Sequence, residues 1–163
     1  MNTSRIILSA IAGLLVTTAS CSSSAPVQKA DASEAVSGKA KLKNVAAEGK
    51  MKISIGAKTF KATLEVNPTV AKLKTLLPLS LNMTELNGNE KYFHLSTRLP
   101  TNAINPGTIQ SGDLMLYGND SLVLFYKTFE TTYTYTRLGR IDDPSALAVA
   151  LGAGNVSVTF AME

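Results

Sequence analysis

The hydrophobic pattern of the chain centres on Gly112–Phe129, where two apolar runs flank a polar turn. The runs are Leu114–Tyr117 and Leu122–Tyr126, and Gly118-Asn119-Asp120 separates them. Glycine and asparagine accept the positive φ that tight turns need, so the pattern predicts a β-hairpin. Neither run alternates cleanly with polar residues. We therefore expect both faces of the second strand to be covered, as in the middle of a sheet or barrel.

A strand pair and a short helix are predicted ahead of the hairpin. Met51–Gly56 alternates apolar and polar positions, which indicates a strand with one solvated face, and Thr59–Glu65 returns as a second strand. Asn67 followed by Pro68 is typical of a helix start, because asparagine caps free amides and proline fits the first helical position. Pro78 ends this helix, since proline cannot continue the hydrogen-bond ladder.

Further strands and a second helix complete the pattern. The strands are predicted at Leu79–Leu86, Lys91–Leu95, Leu138–Ile141 and Asn155–Met162. Asp143 and Pro144 repeat the signal for a helix start. The inward residues of this second helix are predicted to be Leu147, Ala148 and Leu151, with Gly152 at its end.

Two segments have no clear strand or helix period. Thr97–Ser111 is predicted to be irregular. Glu130–Arg137 is predicted to be extended, with Tyr133, Tyr135 and Arg137 on one side. Many short strands with turns between them, and no regular alternation of strand and helix, predict a mainly β fold. We expect a closed or nearly closed barrel of about eight strands with two short helices, because closure removes exposed strand edges.

The first twenty residues have the pattern of a secretory signal peptide. Arg5 supplies the positive charge, and Ile6–Val16 is an apolar run too short to be a permanent membrane span. Thr18-Ala19-Ser20-Cys21 resembles the lipobox of bacterial lipoproteins, in which the cysteine carries the lipid, although leucine is usual where Thr18 stands. The resemblance implies a lipoprotein of the bacterial cell envelope, facing the periplasm or the surface. An ordinary cleaved leader, and hence a secreted protein, is the alternative.

The segment after the leader is predicted to be a flexible tether. Residues 21–50 begin with the lipidation candidate Cys21 and are rich in Ser, Ala, Lys and Gly, with no aromatic residue. Such a composition cannot bury enough apolar surface to offset its chain entropy. The predicted organisation is therefore a signal peptide at 1–20, a lipidated cysteine and tether at 21–50, and a folded domain at 51–163.

Composition excludes several classes of site. The net charge is +4, but residues 51–163 carry ten basic and nine acidic side chains, so no basic surface for nucleic acid is predicted. One cysteine and one histidine exclude an intrachain disulfide and a metal site built from several such ligands. Only an oxygen-rich metal site remains open, and we expect no metal and no cofactor.

Four segments together resemble a bacterial cyclophilin-like domain family. They are Glu85–Phe93, Gly112–Gly118, Leu122–Tyr126 and Tyr135–Pro144. The resemblance covers Met51–Glu163 and implies a cyclophilin-type β-barrel with a helix over each open end. Members of this family are mostly of unassigned function, and some similar domains occur next to flavodoxin-like domains.

The same comparison implies that this chain lacks the catalytic groups of true cyclophilins, the peptidyl-prolyl isomerases. Their Phe-His-Arg motif falls on Phe93-His94-Leu95, so Leu95 takes the position of the arginine. Their Ser-Gln-Phe-Phe motif places Val123 at the glutamine and keeps Phe125 as the second aromatic residue. Tyr135 stands where those enzymes have a second histidine, and their groove tryptophan has no counterpart.

Seven residues are candidates for a ligand groove. They are Tyr92, His94, Arg98, Tyr117, Phe125, Tyr133 and Tyr135. His94 is either a peptide contact or proton-transfer group, or a hydrogen-bonded structural residue. Arg98 either replaces the missing arginine or is a solvated loop cation. Tyr133 and Tyr135 either line the groove or pack between strands.

The acidic residues that draw attention have structural explanations. Asp113 is predicted to serve a turn or strand entry, because no second carboxylate is placed to pair with it. Asp142 and Asp143 are predicted to cap the second helix rather than to bind a metal.

These observations favour a non-catalytic binding module. We expect it to be exported, lipid-anchored, and to hold a peptide segment or a small ligand in the barrel groove. Two alternatives remain. One is a divergent prolyl isomerase with a substitute arginine, and the other is an accessory or scaffold protein for an envelope or redox partner.

Overall fold

The structure is a computed structural model that describes residues 49–163. The predicted signal peptide, the lipidation site Cys21 and the tether up to residue 48 lie outside these residues.

The described residues form short strands and two helices. The strands are β1 (Lys50–Ile55), β2 (Lys58–Leu64), β3 (Leu79–Leu86), β4 (Glu90–His94), β5 (Thr108–Ile109), β6 (Asp113–Tyr117), β7 (Ser121–Phe125), β8 (Phe129–Glu130), β9 (Thr136–Ile141) and β10 (Val156–Met162). The helices are α1 (Pro68–Lys74) and α2 (Leu147–Leu151). The strands predicted from the hydrophobic pattern correspond to all of these except β5 and β8.

Eight antiparallel strands close into a barrel in the order β1-β10-β3-β4-β7-β6-β9-β2. This confirms the predicted closed barrel. Helix α1 follows β2 and α2 follows β9. Because β2 and β9 are antiparallel neighbours, the two helices lie at opposite ends of the barrel. Their buried residues pack into the barrel core: Val70 and Leu73 from α1, Leu147 and Leu151 from α2.

The central hairpin is buried on both faces, as predicted. Leu114, Leu116, Leu122 and Leu124 pack inside the barrel. The outward residues of the hairpin belong to a second apolar cluster, formed by Ile109, Met115, Val123, Phe125 and Tyr135 with Tyr92 and Phe129 packed against it. Ile109 and Phe129 come from β5 and β8, which pair as a separate two-stranded sheet. This small sheet therefore covers part of the outer face of the barrel.

The two helix starts differ from each other. Asn67 caps α1, since its Oδ1 accepts a hydrogen bond from the Val70 amide at 2.9 Å, as predicted. The predicted start of the second helix at Asp143 and Pro144 is wrong. Asp143 Oδ1 accepts instead from the Ser145 amide at 3.0 Å and forms a local turn, so α2 begins only at Leu147. Ala148, predicted to face inward, is exposed.

Lys91 is a fully buried lysine on the inner face of β4. Its ammonium group contacts the Glu85 carboxylate and donates to the carbonyl oxygens of Gly152 at 2.9 Å and Gly154 at 2.6 Å. Tyr126 donates its hydroxyl to both oxygens of Glu85, at 2.8 and 2.9 Å. Burial opposes ionisation of Glu85, but the hydrogen bonds from Lys91 and Tyr126 outweigh it and lower the pKa of Glu85. This network ties the loop after α2 to β3 and β4.

We predict that Lys91→Ala strongly destabilises the protein. The substitution leaves two backbone carbonyls without their donor and removes the charge partner of Glu85, and breaking a buried ion pair costs about 3–5 kcal/mol. Urea unfolding of the full chain measures the difference. The matched control is Lys61→Ala, which removes the ion pair between Lys61 and Glu163. The Lys61 side chain is 69% exposed, so this substitution should cost less than about 1 kcal/mol. Equal losses for the two variants would contradict the assignment.

Candidate ligand-binding groove

A groove of about 890 Å³ lies on the outer face of the barrel, across β4 and β7. Its β-strand floor is formed by Glu90, Tyr92, His94, Ser121 and Val123. The facing wall is formed by β8 and the segment after it, through Phe129, Glu130, Tyr133 and Tyr135. The small sheet that the hydrophobic pattern missed therefore helps to build the groove.

The pairing of β4 with β7 sets the composition of the floor. Residues along a strand point alternately to opposite faces. Since Lys91 points into the barrel, its neighbours Glu90 and Tyr92 point outward, and His94 follows in the same alternation. Tyr92 pairs with Val123 across the two strands, which places these two side chains side by side on the floor.

Tyrosine rings cluster along one side of the groove. Tyr117 contacts Tyr133 and Tyr135, with ring centroids 6.1 and 5.5 Å apart. Tyr135 also meets Phe125 edge-on at 5.5 Å, and Phe125 contacts Phe129 at 5.8 Å. Burial, followed by the nearby Glu90 charge, raises the pKa of Tyr135 to about 12. Tyr117 and Tyr133 are 47% and 62% exposed, so their faces are open to a ligand.

The structure brings together most of the predicted groove residues. Those that line the groove are Tyr92, His94, Tyr117, Tyr133 and Tyr135. Phe125 does not line it, because it is fully buried between Phe129 and Tyr135. Arg98 is exposed in the loop after β4 and is not part of the lining.

His94, Ser121 and Asp120 lie close together but do not form a catalytic triad. Ser121 Oγ lies 3.1 Å from His94 Nδ1, and Asp120 Oδ1 lies 3.5 Å from the same nitrogen. In a triad the two ring nitrogens serve different partners, so that a proton passes from serine to imidazole while the acid holds the other side. Here both partners face one nitrogen, and Ser121 is only 5% exposed. The arrangement favours a hydrogen-bonded structural role for His94.

Residues 53–161 match the family model described as the cyclophilin-like family. The chain belongs to the cyclophilin-like family. A solved structure that resembles this cyclophilin-like protein is the solution structure of a hypothetical protein from Archaeoglobus fulgidus, with a TM-score of 0.55 and 17% sequence identity. The match covers 71% of this chain and 95% of that one, and it shows a shared fold alone. A search among curated proteins found no match.

No arginine between residues 49 and 163 directs its guanidinium group into the cyclophilin-like groove. Leu95, which the sequence resemblance matches to the isomerase arginine, is buried in the barrel core and not in the groove. Val123, which the resemblance matches to the isomerase glutamine, lies on the groove floor. Among the described residues, no lysine or arginine lines the groove.

Glu90 is a groove residue that the sequence analysis did not single out. Burial, together with the nearby negative charge of Glu85, raises the pKa of Glu90 to about 7. Within residues 49–163 its carboxyl group has no hydrogen-bond or ion-pair partner. A carboxyl group with a strongly shifted pKa in a cleft is typical of a functional position. The shifted pKa of Glu90 arises from burial and from Glu85, which the folded sheet brings close. The order of residues along the chain therefore did not indicate it.

Asn89 adds a second unpaired acceptor at the same end of the groove. Its Oδ1 is the one buried side-chain polar atom without a hydrogen-bond partner in the described part of the chain. Buried polar groups are nearly always hydrogen-bonded in native proteins. Asn89 and Glu90 are adjacent in sequence, and both line the groove.

The described residues contain no group of three or more His, Cys, Asp or Glu side chains that could hold a metal ion. No helix between residues 49 and 163 is long and apolar enough to cross a bilayer.

We predict that Glu90→Gln changes the pH dependence of stability. Because the folded-state pKa of about 7 lies above the ordinary value of 4.5, the folded protein prefers Glu90 protonated. Wild-type stability should therefore fall as the pH rises from about 4.5 to about 7. The variant removes this loss, so it should match wild type at or below about pH 4 and be more stable at pH 8, as measured by urea unfolding.

The control is Glu65→Gln, an exposed carboxylate just after β2 and outside the groove, which should follow the wild-type pH curve. Parallel curves for wild type and Glu90→Gln would show that Glu90 is not held in an unfavourable environment.

Proposed function

We propose that this cyclophilin-like protein is a non-catalytic binding module that holds a peptide segment or a small ligand in the groove. The observation that carries the proposal is the groove itself, with aromatic walls and a few polar groups. Its volume of about 890 Å³ lies within the range of about 300–1,000 Å³ that is usual for ligand sites.

Exposed apolar side chains support the same site. Leu86, Tyr117 and Tyr133 are large exposed hydrophobic residues that line the groove. Ile104, which is 51% exposed, is held beside the groove by two backbone hydrogen bonds to Tyr135, at 3.0 and 2.9 Å. Clustered exposed apolar surface marks interaction sites more often than chance. A protein partner that docks through a peptide segment would use this same surface.

Isomerase activity receives no support from the groove. Rotation about a peptide bond has a barrier of about 18–20 kcal/mol, and lowering it by electrostatics needs a charge aimed at the twisting amide. Leu95 supplies no charge, and within the described residues no arginine takes its place in the lining.

We also propose that the domain is exported and anchored to a membrane of the bacterial cell envelope through a lipid on Cys21. The support is the leader-like pattern of residues 1–20 and the position of the chain's one cysteine directly after it. A tether from there to β1 would let the groove face ligands away from the lipid surface.

We predict that groove tyrosines are needed for ligand binding. A pooled library of capped tripeptides and small-molecule fragments, screened by ligand-observed NMR against the full chain, supplies the probes. Tyr133→Ala and Tyr117→Ala should weaken each hit severalfold, because an aromatic contact contributes about 0.5–1.5 kcal/mol. Val149→Ala on α2, which removes a side chain that is 80% exposed and outside the groove, is the control. Hits that bind both tyrosine variants as tightly as wild type, or no hits, would refute the function.

We predict that Cys21→Ala releases the protein from membranes when it is expressed in a bacterium that processes lipoproteins. Acyl chains contribute about 0.8 kcal/mol per buried CH₂, so their loss removes the anchor. Fractionation of cells into membrane and soluble material, followed by immunoblotting, measures the effect. Ser24→Ala should stay with the membrane fraction. Membrane retention of Cys21→Ala would rule out lipid anchoring.

A further inference from the structure

The charges that line the groove are of one sign. Glu90 on the floor and Glu130 on the wall are its carboxylates. Lys127 lies beside the turn at Gly88 but is not part of the lining. The imidazole of His94 is already engaged by Ser121. A ligand that carries positive charge is therefore complementary to the groove.

Two acceptors at the same end of the groove have no hydrogen-bond partner within residues 49–163. Glu90 has no partner within residues 49–163, and the buried Oδ1 of its neighbour Asn89 accepts no hydrogen bond there. A carboxylate and an amide oxygen are both acceptors, and a buried acceptor without a donor is costly. A group that brings several N–H donors together with positive charge is therefore complementary to the Glu90 carboxylate.

The walls next to these acceptors suit an apolar stem. Phe129 and Tyr135 both pack on Phe125, which pairs with Glu90 across β4 and β7. Aromatic faces attract cations through their quadrupole and bury methylene groups at the same time. Tyr135 thus offers both apolar surface and a favourable electrostatic environment close to Glu90.

We propose that the groove selects a primary ammonium group on an apolar stem, with the ammonium donating to Glu90 and the stem lying along Tyr135 and Phe129. This inference rests on the proposed function and adds the chemical class of its ligand. A primary ammonium fits better than a quaternary one, because only the primary form donates hydrogen bonds. A lysine side chain of a peptide and a free alkylamine carry the same chemistry.

Matched probes test the ammonium directly. Isothermal titration calorimetry of the full chain in mild detergent compares capped tripeptides whose central residue is lysine, trimethyllysine, norleucine or glutamate. We expect the lysine peptide to bind at least about tenfold more tightly than the norleucine peptide, because a charge-assisted hydrogen bond contributes on that scale. The trimethyllysine peptide should be weaker than the lysine peptide, and the glutamate peptide weakest.

Variants of the groove assign the effect to its residues. Glu90→Gln should reduce the preference for lysine over norleucine to within about threefold, since it keeps the shape and removes the charge. Glu130→Gln should reduce that preference in part. Glu65→Gln, outside the groove, should leave it unchanged. Because both peptides are measured on the same variant, the ratio of their affinities does not change if a small fraction of that variant is unfolded.

The outcomes separate this inference from the proposed function. Equal affinities for lysine, norleucine and glutamate peptides, or a lysine preference that Glu90→Gln does not alter, overturn the ammonium assignment while groove binding stands. If library hits bind the tyrosine variants as tightly as wild type, the proposed function is wrong, and the inference that rests on it is wrong as well. n-Butylammonium distinguishes the sources: affinity close to that of the lysine peptide supports a free amine as ligand, and clearly weaker affinity supports a peptide.

Discussion

The inward position of Lys91 links the barrel core to the groove. Its ammonium group is enclosed by Glu85 and by the carbonyl oxygens of Gly152 and Gly154, so β4 is locked in one orientation. Because side chains alternate along a strand, that orientation turns Glu90 and its outward neighbours toward the groove. A shift of one residue would exchange the two faces of β4 and would bury the groove residues instead.

The groove on the outer face of the barrel is built on the fold of the cyclophilin-like family, and its charged lining residues are carboxylates. The closed barrel belongs to the cyclophilin-like family, and the small β5–β8 sheet covers its central hairpin to form one wall of the groove. Leu95, which the sequence resemblance matches to the catalytic arginine of isomerases, is a core residue. The groove that remains is lined by tyrosines and by two carboxylates, Glu90 and Glu130. This composition is the basis for the proposal that the groove holds a ligand.

The sequence predicted the barrel because its strands have a clear hydrophobic period and clear turns. It missed β5 and β8, since a strand of two residues has no measurable period, and it misplaced the start of α2, because Asp143 caps a local turn there. All four groove tyrosines, Tyr92, Tyr117, Tyr133 and Tyr135, were among the predicted groove residues. The environment of Glu90 was not predicted, because its shifted pKa arises from burial and from Glu85, which the folded sheet brings close.

The central claim is that this groove binds without isomerising. A proline-limited refolding assay, in which a substrate protein refolds with and without the full chain, tests it most directly, because uncatalysed prolyl isomerisation takes about 10–100 s at 25 °C and acceleration is easily seen. The proposal predicts that the protein leaves the refolding rate unchanged. Acceleration of refolding by the protein would contradict it.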